Sequence, residues 1–228
     1  MKPSTPALIA YLISSFLAVL GIVSDNDFLV LLMKPVIVPA IFFYYMQTRR
    51  TKVNWLFLIA MLSSFIADMI ILFQLENGDI PIILLNLLMY LIFFYFAIKD
   101  MPYRNLTVFN FFYFILIVCC FLSILYFVLD LMTGLDSFLH YLLIVYGILL
   151  SLLSSVIVFN HIKLLYLKTF YAVIMCICFV TSDIFFAVYN FYLKMEVFTI
   201  FNLTVQFASY YYMVKYITCL EPNKVEVK

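Results

Sequence analysis

Of the chain's 228 residues, 68% are hydrophobic and only 11% are charged, against roughly 45–50% apolar in a soluble domain. No soluble fold of this length hides so much apolar surface, so lipid must be the solvent; about eight spans of roughly 20 residues use up the chain and leave no place for a separate soluble domain. The basic residues are scattered through short loops rather than clustered at a net charge of +1, so nothing points to nucleic acid and no such partner is expected; the apolar runs are continuous rather than alternating, which favours helices over a transmembrane β-barrel.

Taken in chain order, the apolar runs predict helices at about 7–23, 28–46, 54–74, 80–98, 108–131, 138–159, 168–190 and 197–218. The first follows only Lys2 and lacks a small-residue cleavage site, so it reads as a retained helix. The expectation is one all-α transmembrane domain over 1–220, a polytopic bundle of about eight helices, followed by a short cytoplasmic tail at 221–228. Cys119, Cys120, Cys176, Cys178 and Cys219 form no C-x-x-C pair and read as small packing residues.

Charge sets the orientation. Lys2, Arg49, Arg50, Lys52, Lys99, Arg104, Lys163, Lys168, Lys215, Lys224 and Lys228 fall on one side of the eight spans, and Lys194 alone falls on the other. Asp25, Asp27, Glu76, Asp79, Asp130, Asp136 and Glu196 accompany Lys194. The positive-inside rule then puts both termini in the cytoplasm. Gly78 and Gly134 are expected in tight external turns, while Tyr44, Tyr45, Trp55, Tyr103 and Tyr166 are expected at the cytoplasmic interface.

Three charges remain inside the spans: Lys34, Asp68 and Asp183. Each costs at least roughly 2.5–3.5 kcal/mol near a helix centre and so needs a reason to be there. Counting along the second, third and seventh spans puts all three about six or seven residues from the external boundary, roughly 10 Å deep at 1.5 Å per residue. Asn86 and Asn202 have similar depths; Ser64, Ser182 and Gln206 adjoin the layer, and Tyr146 is slightly deeper. These residues predict a polar pocket in the outer half of the membrane, lined by helices 2, 3, 4, 7 and 8. A purely structural reading pairs Lys34 with one aspartate, which leaves the second acid without a cation. Two carboxylates in one low-dielectric pocket share a proton between them and can serve as acid and base.

Other chemistries fit poorly. His140 and His161 lie near opposite faces and cannot share a metal, and no H-x-x-x-H spacing occurs. There is no G-x-S-x-G elbow and no glycine-rich phosphate loop. Neither a metal nor a cofactor is expected.

Several segments resemble a known family in order and spacing. Lys34-Pro35 through Pro39 opens the second helix, and Ser63-Ser64 leads to Asp68 in the third. Phe179-Val180-Thr181-Ser182-Asp183 runs on to Tyr192, Tyr146 precedes a small-residue run, and Ser209-Tyr210-Tyr211-Tyr212 ends the eighth. Together these are similar to the YhhN family of lysoplasmalogenase-like membrane proteins, over nearly the whole chain. The resemblance implies an eight-helix hydrolase that cleaves the vinyl ether bond of a lysophospholipid-like substrate drawn from membrane lipid. It implies Asp68 and Asp183 as the catalytic pair, with Lys34, Ser64, Asn86, Tyr146, Ser182, Asn202 and Gln206 toward the substrate. Asn86 stands where many relatives carry histidine, and Met213-Val214-Lys215 follows the tyrosines where a glutamine is usual. The localisation expected is the bacterial inner (plasma) membrane, multi-pass. Two other readings stay open, a small proton-coupled transporter and a non-catalytic lipid-binding protein.

Overall fold

The structure, a computed structural model, describes residues 4–49, 52–74, 78–101, 108–132 and 136–219. The predicted tail at 221–228 lies outside these residues, as do Gly134, Tyr103 and the loop charges Lys2, Arg50, Glu76, Arg104, Lys224 and Lys228. Eight α-helices follow one another: α1 (Thr5–Val23), α2 (Asp27–Thr48), α3 (Trp55–Leu72), α4 (Asp79–Lys99), α5 (Val108–Leu131), α6 (Ser137–Leu164), α7 (Leu167–Phe191) and α8 (Glu196–Thr218). No strand occurs among the described residues. Seven of the helices, α1 to α7, are long and apolar enough to cross a membrane, and the chain is a multi-pass integral membrane protein. Helix α8 is as long as the others, at 23 residues, but Thr199, Asn202, Thr204, Gln206, Ser209 and four tyrosines dilute its apolar character.

Local signals set most boundaries. Asn26 and Asn54 cap α2 and α3, each offering its side-chain oxygen to a backbone N–H at 3.1 Å. Left-handed residues end or follow three helices, at Asp25 (φ 50°), Gln74 (φ 48°) and Leu165 (φ 48°). Gly78, expected to use its freedom in a turn, instead precedes α4 with an ordinary φ of −65°, a conformation open to any residue. Helix α6 runs on to Leu164, past the predicted end at 159, because Asn160 is buried and donates to Ala97 O at 2.7 Å. A polar residue read as a boundary is thus a contact between helices.

The helices close a ring. Consecutive pairs α1–α2, α2–α3 and α3–α4 pack together, α4 meets α6, α6 meets α7, α7 meets α8, and α8 returns to α1 and α2. Helix α5 stands outside the ring, against α6 and α7. Among its described residues Asn110 alone is buried, and rings such as Phe109 and Phe127 lie 77% and 68% exposed, as suits a lipid-facing surface. Inside the ring, Phe93 meets Phe57, Phe179 and Tyr216 within 6.4 Å, and Ile41, Met175 and Met213 are fully buried nearby. At the basic end Lys168 pairs with Asp100 at 2.6 Å, and Tyr216 donates to the same carboxylate at 2.8 Å. The opposite end, where α3 gives way to α4 and α7 to α8, holds the buried acids.

Candidate functional site: an acidic intramembrane cavity

Asp183 is delivered by the second half of α7, two turns before its end. Its Oδ2 accepts two hydrogen bonds, from Tyr90 of α4 and Tyr146 of α6, each at 2.7 Å. The two rings lie 5.3 Å apart and clamp one carboxylate oxygen. Oδ1 carries no hydrogen bond among the described residues, and Asp183 is a wall of a cavity of about 130 Å³.

That cavity is mainly apolar. Its floor is polar, formed by Asn86, Tyr146, Ser182, Asp183, Asn202 and Gln206. Its flank is a stripe of α5, Phe121, Ile124, Leu125, Val128 and Leu129, facing Val180, Ile184 and Ala187 of α7. Ser182 donates to Asn202 Oδ1 at 2.7 Å and so ties α7 to α8 across the floor. Asn86 makes no hydrogen bond among the described residues and lines the cavity.

Asp68 sits differently. It is 2% exposed and is not among the lining residues of this cavity. Gln206 Nε2 donates to its Oδ1 at 2.8 Å, and Tyr210 donates to its Oδ2 at 2.6 Å. Lys34, 5% exposed, acts electrostatically on Asp68, but no ion pair within 4 Å joins the two. A second, smaller cavity of about 30 Å³ is lined by Asp183, Tyr90, Asn86 and Ser64 together with Gln206 and Tyr210, the two residues that bond to Asp68. Ser64 donates to Ala60 O and to Met89 Sδ, at 3.0 and 2.9 Å.

The predicted layer therefore assembles, with three adjustments. Asp183, Asn86, Tyr146, Ser182, Asn202 and Gln206 converge on one cavity, and Ser64 reaches its smaller neighbour. Asp68 and Lys34 stand behind the wall, because Gln206 and Tyr210 cover the acid. Helix α2 contributes no wall; α5 and α6 take its place. Sequence reasoning passed over Tyr90 and Tyr210 as site residues, yet each follows a site residue by one helical turn, Asn86 and Gln206 respectively. The α5 wall carries no polar residue at this depth and left no mark to read.

Fold and site together define a multi-pass helical membrane protein with an acid-floored cavity among its helices. Comparison with known protein families, with curated proteins and with solved structures finds no match. Among the described residues no cluster of three or more His, Cys, Asp or Glu side chains could hold a metal ion.

Proposed function

We propose that this chain is a membrane-embedded hydrolase that cleaves a vinyl ether bond in a single-chain lipid, with Asp183 as its acid. One observation carries the reading: an acid with one oxygen clamped by two tyrosines, and no hydrogen bond to its other oxygen among the described residues, lines a mainly apolar cavity. The resemblance in sequence suggests a single-chain glycerolipid as the source of that bond, and leaves its head group to the chemistry of the cavity walls. In the proposed topology α8 is an eighth span, both termini are cytoplasmic, and the cavity opens toward the outer leaflet of a bacterial inner membrane. Basic residues at one end of the helices and acids at the other support this orientation.

The chemistry needs one proton donor and one water. With a proton on Oδ1, Asp183 protonates the β-carbon of the vinyl ether, and the α-carbon becomes an oxocarbenium centre. Water adds there and returns its proton to Asp183, and the hemiacetal collapses to aldehyde and alcohol. General acid–base assistance of this kind contributes about 10²–10⁴-fold. The small cavity has room for water among Ser64, Asn86, Asp183, Gln206 and Tyr210. Asp68 does not touch that space. It is a positioning residue that fixes the Gln206 amide nitrogen and so leaves the amide oxygen to orient the water.

The test is turnover by the purified protein in nanodiscs. Single-chain vinyl ether lipids are supplied and aldehyde release is followed by mass spectrometry. Wild type should release aldehyde and Asp183→Asn should not, with unchanged helicity and thermal midpoint. Full turnover by Asp183→Asn would overturn the proposal.

A further inference from the structure

The walls of the large cavity are notable for a missing kind of side chain. Asp183 is the one charged residue among them, and no Lys, Arg or His lines the cavity among the described residues. Lys34, the one cation at this depth among the described residues, is buried, acts electrostatically on Asp68 and is not a lining residue of the cavity. At the same end of the helices, Asp79, Asp130 and Asp136 lie close in sequence to the wall residues Ile82, Leu129 and Met132. Lys194, in the exposed turn between α7 and α8, is next but one to Glu196.

Phosphate is recognised by Arg and Lys side chains or by free backbone N–H groups at helix starts. The cavity floor offers instead one carboxylate and the neutral groups of Asn86, Tyr146, Ser182, Asn202 and Gln206. Between that floor and the helix ends the walls are Ile71, Ile82, Met132, Leu143, Phe186 and Phe191, all apolar. A phosphate set close to the scissile linkage would lie among these side chains, beside the Asp183 carboxyl, with no cation to balance it. Burying an anion so is strongly unfavourable. A hydroxyl in the same place finds donors and acceptors on the floor.

We propose that the cavity takes an uncharged single-chain lipid with a hydroxylated head, of which a long-chain alkenyl- or alkylglycerol is the simplest, and rejects lipids that carry phosphate. The substrate class rests on the reading of the site as an ether-lipid hydrolase, but the charge argument concerns binding alone. The hydroxyls meet Asn86 and Asn202, and the chain runs along the α5 stripe.

Binding is therefore measured without catalysis. Protein in phosphatidylcholine nanodiscs is photolabelled with a saturated hexadecylglycerol ether bearing a diazirine in its chain. Competitors are unlabelled hexadecylglycerol, its 3-phosphate and its phosphocholine ester. Labelling should map to peptides of α5 and α7, and the neutral ether should compete at a concentration about tenfold or more below either phosphate lipid. Ala187→Phe, which fills the cavity, should lower labelling. Asn86→Lys, which adds a cation to the floor, should raise competition by the 3-phosphate. Equal or stronger competition by the phosphate lipids in wild type, or no labelling of α5 and α7, overturns the proposal. Aldehyde release from alkenylglycerol and from its phosphocholine ester is followed in parallel. Turnover of the ester alone would sink this inference and leave the hydrolase standing; selective binding of the neutral ether with no aldehyde from either would do the reverse.

Discussion

Leu125 of α5 rests against Gly147 of α6 so closely that a Cβ on the glycine would overlap Leu125 Cδ1 and lie 3.2 Å from its Cγ. Both residues are walls of the large cavity. The contact seats α5, the one helix outside the ring, against the site. Gly147→Ala should drive the Leu125 side chain out of its notch, either into the cavity or outward with α5. Overpacking of this kind costs about 1–3 kcal/mol, and the low end is expected because α5 is bordered by lipid. Gly147→Ala should lower the thermal midpoint in detergent and shorten the chain accepted. Adding Leu125→Ala should restore both. Additive losses in the double variant would show that the two side chains do not share this space.

The two acids should fail in different ways. Asp68→Asn leaves the buried Lys34 without the one carboxylate that acts on it among the described residues, so it should cost about 1–3 kcal/mol or more of stability. Asp183→Asn strands no such cation, because its partners are the hydroxyls of Tyr90 and Tyr146; it should leave stability within about 1 kcal/mol. Chemical denaturation in mixed micelles separates the two. Replacing Lys34 by Met alongside Asp68→Asn should recover much of the loss. A destabilised Asp183→Asn beside a stable Asp68→Asn would invert the roles assigned to them.

Tyr90 and Tyr146 share one acceptor atom, Asp183 Oδ2. Deleting either hydroxyl removes one hydrogen bond to the acid, an effect of about 1–2 kcal/mol, or roughly tenfold in kcat for the proposed hydrolysis. Tyr90→Phe and Tyr146→Phe should each lower kcat with little change in KM. Together they should cost less than the product of the single effects, since the remaining bond shortens and strengthens when one is lost. Steady-state kinetics on the three variants decides it. A fall in apparent affinity with kcat intact would make the tyrosines substrate contacts instead.

Much of this arrangement was readable beforehand because a charge inside a membrane span is costly enough to be informative. Asp183, Asn86, Ser182, Asn202 and Gln206 were placed in one layer by depth alone, and they do meet. Depth, however, says nothing about rotation around a helix axis. Asp68 and Asp183 have similar depths, yet Gln206 and Tyr210 stand between Asp68 and the cavity. Lys34 likewise faces Asp68 rather than a ligand, on a helix that gives no wall. Helix α5 entered the site unannounced because its cavity-facing stripe is chemically identical to its lipid-facing one, Leu125 and Val128 against Leu122 and Phe127. Packing order in a ring, with α4 meeting α6 and α5 left outside, is a property of tertiary contacts that no single span encodes.

Helix α8 brings the weakest apolar signal and the heaviest share of the polar network. Asn202, Gln206 and Tyr210 follow one another at single-turn spacing and bond to Ser182 and Asp68 on two neighbouring helices. Tyr11 of α1 donates to Phe207 O on the same helix. A polar helix of this kind is held in a bilayer by its partners rather than by its own partitioning. Glu196–Thr218 fused alone to a reporter should therefore insert poorly, while in the whole chain it should span. A green fluorescent protein fused after Lys228 should fluoresce, and alkaline phosphatase at the same point should be inactive, as a cytoplasmic C-terminus requires. Gln206→Leu together with Asn202→Leu should raise insertion of the isolated helix by about 2 kcal/mol or more while lowering the stability of the folded protein, because Ser182 and Asp68 each lose a partner. An active phosphatase fusion after Lys228 would mean that α8 does not cross, and the seven-span topology would then put the C-terminus outside.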